Sequence, residues 1–204
     1  MFDCLIIGGG VSGVSCALVL GSAKEKPFAT DKKIGIIAHQ KASMLQDALF
    51  NNAYGIIPGT LGSELLQQTS QDLQKLYPHI TQISNEKVAS VVIQNDIFLV
   101  TTNENVYETK IVVIAINSSN PFTIEGCLQP YVIPHKKSLP QKNRLQLANN
   151  DHLIFKNAYV AGTLAGHRSQ LTIAAGSGAA VATDILTLWN NGIETHSHDS
   201  IRKK

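Results

Sequence analysis

The sequence predicts an α/β domain: a central parallel sheet with helices on both faces and an antiparallel β-meander appended to it. Three observations predict this. A short apolar strand, Phe2 to Ile7, runs into the glycine-rich stretch Gly8-Gly9-Gly10-Val11-Ser12-Gly13 and then into a helix from Val14 to Leu20. A second apolar strand, Lys33 to Ala38, completes a βαβ unit, which is right-handed by strong preference. Near the other end a strand over Asn157-Ala158-Tyr159-Val160-Ala161-Gly162 leads to a long helix, Ser169 to Trp189.

The first turn has the spacing Gly-x-Gly-x-x-Gly between strand and helix. Gly8 permits the tight turn, Gly10 lets backbone approach a pyrophosphate, and Gly13 lets helix pack close to strand. Phosphates would sit at the helix N-terminus beside Val11 and Ser12, where unpaired N–H groups and the helix dipole favour anions. The fold is therefore Rossmann-like, of the FAD/NAD(P)-binding kind. A glycine-rich turn that holds no ligand stays open as the alternative.

At 204 residues, the chain is long enough for one well-buried domain. Residues 1–190 form it, and 191–204 read as a flexible tail. The net charge of +2 offers no argument for nucleic acid or for a membrane surface, and Arg202-Lys203-Lys204 reads as a solvated end. The N-terminus lacks a basic segment, so no secretory signal is expected. No apolar run approaches the roughly 20 residues that cross a bilayer. The three cysteines, Cys4, Cys16 and Cys127, are scattered; they make neither a disulfide framework nor a zinc site. A reduced, cytoplasmic protein is expected.

The remaining elements follow in order. Ala42 to Asn51 reads as a short helix and Asn52 to Gly62 as a Gly/Pro-rich loop. Ser63 to Leu76 carries Leu65, Leu66, Leu73 and Leu76 amid polar residues, an amphipathic helix that Pro78 ends. Residues 88–93, 97–100 and 106–107 alternate with turns at Asn95-Asp96 and near Asn103-Glu104-Asn105, which is a meander of antiparallel strands. Ile111 to Ile116 is a strand buried on both faces, and Asn117 to Pro121 a loop. Residues 122–152 are polar, punctuated by proline, and give no readable pattern. Two glycines inside the last helix, Gly176 and Gly178, suggest close approach to a backbone or a ligand, since mid-helix glycine costs up to about 1 kcal/mol relative to alanine.

Taken together, the motifs Gly8-x-Gly10-x-x-Gly13-x-x-x-Ala17, Ile111-Val112-Val113-Ile114-Ala115, Tyr159-Val160-Ala161-Gly162 and Gln170-x-x-x-Ala174-Ala175-Gly176-x-Gly178-x-x-x-Ala182 resemble the FAD domain of the thioredoxin-reductase-like pyridine nucleotide–disulfide oxidoreductases. The resemblance covers residues 1–120 and 155–190, two half-segments joined by a short connection, 121–154. It implies FAD as cofactor, with Gln170, Leu171 and Thr172 at the flavin ring, Ala115 and Asn117 at the end of the Ile111–Ile116 strand, and Gly162 and Thr163 at the end of the Asn157–Gly162 strand. Asn52 and Tyr54 match the loop that approaches the flavin in that family.

The departures are specific. The family inserts a complete NAD(P)H-binding domain where this chain has only residues 121–154. There is no Cys-x-x-Cys, so dithiol exchange through that motif is excluded. The acid expected after the second strand to bind ribose is missing; His39 and Gln40 stand there instead. Thr163 replaces the family's Asp, and Ala115-Ile116-Asn117 replaces Ala-Thr-Gly.

The resulting expectation is a minimal FAD-dependent oxidoreductase without a nicotinamide-binding domain or redox disulfide, its catalytic residues unassigned. A small molecule or a protein would donate or accept electrons, and a homo-oligomer or a complex could supply the missing domain. The alternative is a non-catalytic nucleotide-binding or interaction module of the same fold. Of the histidines, His167 with Arg168 is best placed for a base near the flavin, with a loop residue satisfying local hydrogen bonds as the alternative. His79 and His135 adjoin prolines and read as turn residues. His196-Ser197-His198 lacks further metal ligands, Cys127 lacks a partner thiol, and Trp189 reads as a packing residue.

Overall fold

The structure is a computed structural model and describes residues 1–39 and 45–197. Its centre is a six-stranded sheet in the order β13-β14-β9-β1-β2-β5, formed by β1 (Cys4–Ile7), β2 (Ile34–Ala38), β5 (Ile80–Ser84), β9 (Val112–Ile114), β13 (Leu153–Phe155) and β14 (Ala158–Val160). β14, β9, β1, β2 and β5 run parallel, with β13 antiparallel on one edge. The chain steps outward from β1 through β2 to β5 and then returns to the other side of β1 for β9 and β14. The order therefore reverses at β1 and β9, and a crevice opens beyond the carboxyl ends of those strands.

Strand alternation divides the core into two layers. Cys4 and Ile6 face one side with Ile34, Ile36, Val113 and Tyr159. Leu5 and Ile7 face the other with Ile37, Val112, Ile114 and Val160. Three helices, α1 (Val11–Ser22), α2 (Gly62–Leu76) and α3 (Leu171–Trp189), give buried residues to the first layer, among them Leu20, Leu73 and Ile185. The second layer is closed by the meander, β6 (Val88–Gln94), β7 (Ile97–Thr102) and β8 (Val106–Thr109), through Val91, Phe98 and Val100. The α/β class and the parallel sheet stand as expected, but the helices share one face. The meander presents an apolar face of its own and takes the place of helices on the other.

Several elements depart from the sequence reading. Ala42 to Asn51 is not a helix over its described part: residues 45–47 turn, and β3 (Leu49–Phe50) pairs with β4 (Thr60–Leu61). Residues 122–152 contain three short strands, β10 (Glu125–Gly126), β11 (Val132–Pro134) and β12 (Leu145–Leu147). β10 joins the meander beside β6, while β11 and β12 pair with each other. Cys4 and Cys16 are inaccessible core residues, and burial pushes both thiols far above their ordinary range. Trp189 packs on the first layer under the Lys32 ammonium, 5.6 Å from the ring.

Against the expectation that no segment could cross a bilayer, α3 is long and apolar enough by length and composition, with a mean hydropathy of 1.5. Packing takes up part of its apolar character: Val181, Ala182, Ile185 and Leu186 are inaccessible in the core layer shared with α1 and the sheet.

Candidate functional site

Four parallel strands end side by side, and the residues after each converge on one cavity of about 520 Å³. β1 delivers Gly8, Gly9 and Gly10, β2 delivers His39, β9 delivers Ala115, Ile116 and Asn117, and β14 leads to Gly162 and Thr163. The first turns of α1 and α3 complete this wall with Val11, Ser12, Gln170, Leu171 and Ala174. Both helices begin without a side-chain cap and without an acidic residue in the first turn. Their free N–H groups and positive dipole ends therefore remain available at the cavity to a negatively charged ligand.

The glycines of the turn divide their duties. Gly8 has φ of +120°, and a Cβ there would overlap the Ala115 carbonyl. Gly13 lies behind the cavity wall, where a side chain would overlap the Gly8 carbonyl, so it serves helix–strand packing. Gly10 is different. Its φ of −80° suits any residue, and a Cβ would meet no protein atom within 4 Å. Nothing in the protein itself demands glycine there; a ligand lying against the backbone would.

A smaller lobe of about 240 Å³ joins the first at Gly8, His39, Ile116, Asn117 and Ser119. It is lined by Ile7, Ile37, Val88, Phe122 and Ile124, with Glu86 at its edge. The Glu86 carboxylate accepts hydrogen bonds from Thr102 Oγ1 (2.6 Å), Tyr107 OH (2.7 Å) and Asn105 Nδ2 (2.9 Å). Burial by itself would raise this carboxyl, but the three donors hold it below its ordinary range. Burial, together with the hydrogen bond to Glu86, pushes the Tyr107 phenol up to about 12.

The turn from Gly162 to Gly166 is buttressed from behind by three histidines. His135 Nδ1 accepts the Lys137 N–H at 3.2 Å, so its Nε2 carries the proton and donates to the Thr163 carbonyl at 3.1 Å. Ser177 Oγ accepts the Gly162 N–H at 2.8 Å and lies 3.0 Å from His152 Nε2, which in turn lies 3.0 Å from His167 Nε2. Burial holds His152 and His167 below the usual histidine range, and at His167 the neighbouring His152 adds to the effect.

Strand ends, glycine turn and two uncapped helix N-termini thus share one crevice. Over residues 2–167 the chain matches the family described as pyridine nucleotide-disulphide oxidoreductase. It belongs to that family. Solved structures agree on the fold. The thioredoxin reductase of T. acidophilum superposes with a TM-score of 0.68 at 15% identity, covering 94% of this chain and 99% of that one. A ferredoxin-flavin thioredoxin reductase from Clostridium acetobutylicum gives 0.67 at 18% identity, over 93% and 98%. A thioredoxin reductase from Gloeobacter violaceus gives 0.69 at 12%, over 98% and 99%. No curated protein matches the chain by sequence. Family and fold are those of a flavin-dependent oxidoreductase-like domain.

In this member of the family, the structure brings together Gly8, Gly10, Val11, Ser12, His39, Ala115, Asn117, Gly162, Thr163, Gln170 and Leu171 around one cavity. Thr172 is exposed outside it, because the helical turn carries it away from the side that Leu171 lines. Gln40 lies outside the described residues. Tyr54 is 96% exposed and away from the cavity; Phe50, on β3, is the aromatic that lines it. His167 is spent on His152, and neither His167 nor Arg168 lines the cavity. Cys127 is half-buried, and burial raises its thiol. Among the described residues no group of His, Cys, Asp or Glu could hold a metal ion; His198 lies outside them. The sequence reading missed Ser118, Ser119, Asn120, Lys142, Asn143 and Arg144 on the cavity wall. The last three come from the unreadable connection and carry no motif.

Proposed function

We propose that this chain is a minimal FAD-dependent oxidoreductase that works without a nicotinamide-binding domain or redox disulfide of its own. The observation that carries the reading is Gly10: it lines the cavity and a Cβ there would meet no protein atom within 4 Å, which a ligand pressed against that backbone would account for. The residues fit FAD. Gly8, Gly10, Val11 and Ser12 would hold the pyrophosphate at the start of α1, and Gln170 and Leu171 would present the N-terminus of α3 to the flavin. The apolar smaller lobe, with His39 at its junction, would take the adenine end.

Bound flavin supplies the redox chemistry, and the protein supplies orientation and electrostatics. Of the chain's own residues, the uncapped start of α3 favours negative charge at its end of the cavity. His135 and Ser177 fix the backbone of the Gly162 turn. The chain has only residues 121–154 where the family inserts a nicotinamide domain, and its cysteines are Cys4, Cys16 and Cys127. The electron donor therefore comes from outside, as a diffusing small molecule or a partner protein, in a reducing, cytoplasmic setting.

The test is a visible absorption spectrum of freshly purified protein, with the heat-released ligand identified by chromatography. A flavin spectrum with FAD released supports the reading, and reduction of that flavin by NADH, NADPH or a protein donor extends it. A colourless protein that takes up no added FAD overturns it. Bound flavin that only dithionite reduces would make FAD a structural ligand.

A further inference from the structure

Lys142 and Arg144 bring two cations to a cavity whose larger lobe has no carboxylate among its described lining residues. Glu86, at the edge of the smaller lobe, is already engaged by three donors. Arg144 is half-buried, and its guanidinium makes no hydrogen bond or ion pair among the described residues. A guanidinium withdrawn from water with no anion beside it loses hydration without recompense.

Its placement is nonetheless fixed. The Arg144 carbonyl accepts the His135 N–H at 2.9 Å, and the next residue, Leu145, donates its N–H to the Ser118 carbonyl at 3.0 Å. Ser118 is itself buried and on the cavity wall. Asn143, at φ 44° and ψ 45°, makes the left-handed turn that sets Lys142 and Arg144 on either side of it. The polypeptide thus spends ordered backbone on holding a free cation at the cavity.

We infer that Arg144, assisted by Lys142, binds the phosphate groups of the dinucleotide, and that the chain recognises its cofactor chiefly by charge. The described end of β2 offers His39 and no acid, so the carboxylate-to-ribose contact of dinucleotide folds is not made there. A planar guanidinium pairs with phosphate oxygens through two parallel hydrogen bonds, which an ammonium does not reproduce. The inference rests on the FAD reading above.

Kd values for FAD and for riboflavin, which lacks phosphate, are measured by quenching of flavin fluorescence at low and high salt. The proteins are wild type, R144Q, R144K and K142Q, each checked by thermal melting without ligand. R144Q is expected to weaken FAD about tenfold, the worth of one charge-assisted contact. It should flatten the salt dependence and leave riboflavin unchanged. R144K should recover part of the loss, and K142Q, at an exposed position, should lose less. An unchanged FAD Kd in R144Q, or an equal loss for riboflavin, overturns the inference and leaves the flavin reading standing. Wild-type protein with no affinity for FAD overturns both.

Discussion

Gly178 of α3 rests directly on the backbone of Ser12 in the first turn of α1, so closely that a Cβ at 178 would overlap the Ser12 carbonyl oxygen. The contact is reinforced one turn away by the Ser15 hydroxyl, which donates to the Ala175 carbonyl at 2.7 Å. It joins the two helices whose N-termini line the cavity.

Gly178→Ala should therefore destabilise the fold by about 2 kcal/mol, as overpacked contacts do. Gly176 is the matched control. It is exposed, nothing lies within 4 Å of its would-be Cβ, and Gly176→Ala should stabilise by about 0.5–1 kcal/mol through helix propensity. Urea denaturation of both variants checks the pair. Equal effects would show that the α1–α3 contact is not tight.

Gly10→Val should leave the melting temperature near that of the wild type, since an extended backbone and open space accept the side chain. Flavin content should fall to near zero because the isopropyl group occupies the phosphate position. Folded Gly10→Val protein that purifies with undiminished flavin would mean the ligand does not use this turn.

Acid sensitivity should follow the buried histidines. His152 and His167 are held below the ordinary value of 6.5, so the fold favours their neutral form. The groups facing them are Asp151, Lys137, His135 and Ser177. As pH falls past about 6.5 the unfolded chain takes up protons first, so stability is full above that value and declines below it. Burial lowers His79 as well and adds to the decline. His167→Gln should give a shallower fall in melting temperature between about pH 6.5 and 5. Superimposable pH profiles for variant and wild type would refute this account.

Glu86→Gln should cost about 2 kcal/mol, because the amide nitrogen cannot accept from donors that now serve the carboxylate. The wild-type carboxyl sits below its ordinary value of 4.5. Its contribution is therefore complete above that value and lost as pH falls through the folded-state pKa. The stability gap between variant and wild type should accordingly be present at neutral pH and narrow in acid. A gap that is constant down to strong acid would argue against the hydrogen-bonded carboxylate.

What was legible in the sequence was local. The β1 strand and its glycines announce themselves because strand, turn and helix follow each other within a few residues, and the meander because its strands alternate around Asn-Asp and Asn-Glu-Asn turns. β5 escaped notice because only Ile80 and Ile83 in it are buried, one in each core layer. Apolar residues three apart do not resemble a strand. Residues 45–50 look helical by composition, yet β3 is held by pairing with β4, a partner ten or more residues away. Lys142 and Arg144 could not be found from their neighbours, since their position depends on β12 pairing with β11 and on the Ser118 carbonyl that accepts the Leu145 N–H. His152 had no signal either; only the folded chain sets it against Ser177.

The cavity takes its wall from residues 8–12 at one end of the chain and from 162–174 near the other. During synthesis the glycine turn leaves the ribosome long before α3 exists to oppose it. A growing chain thus has half of this wall, and any ligand that needs both helix N-termini can be held only after translation has passed α3.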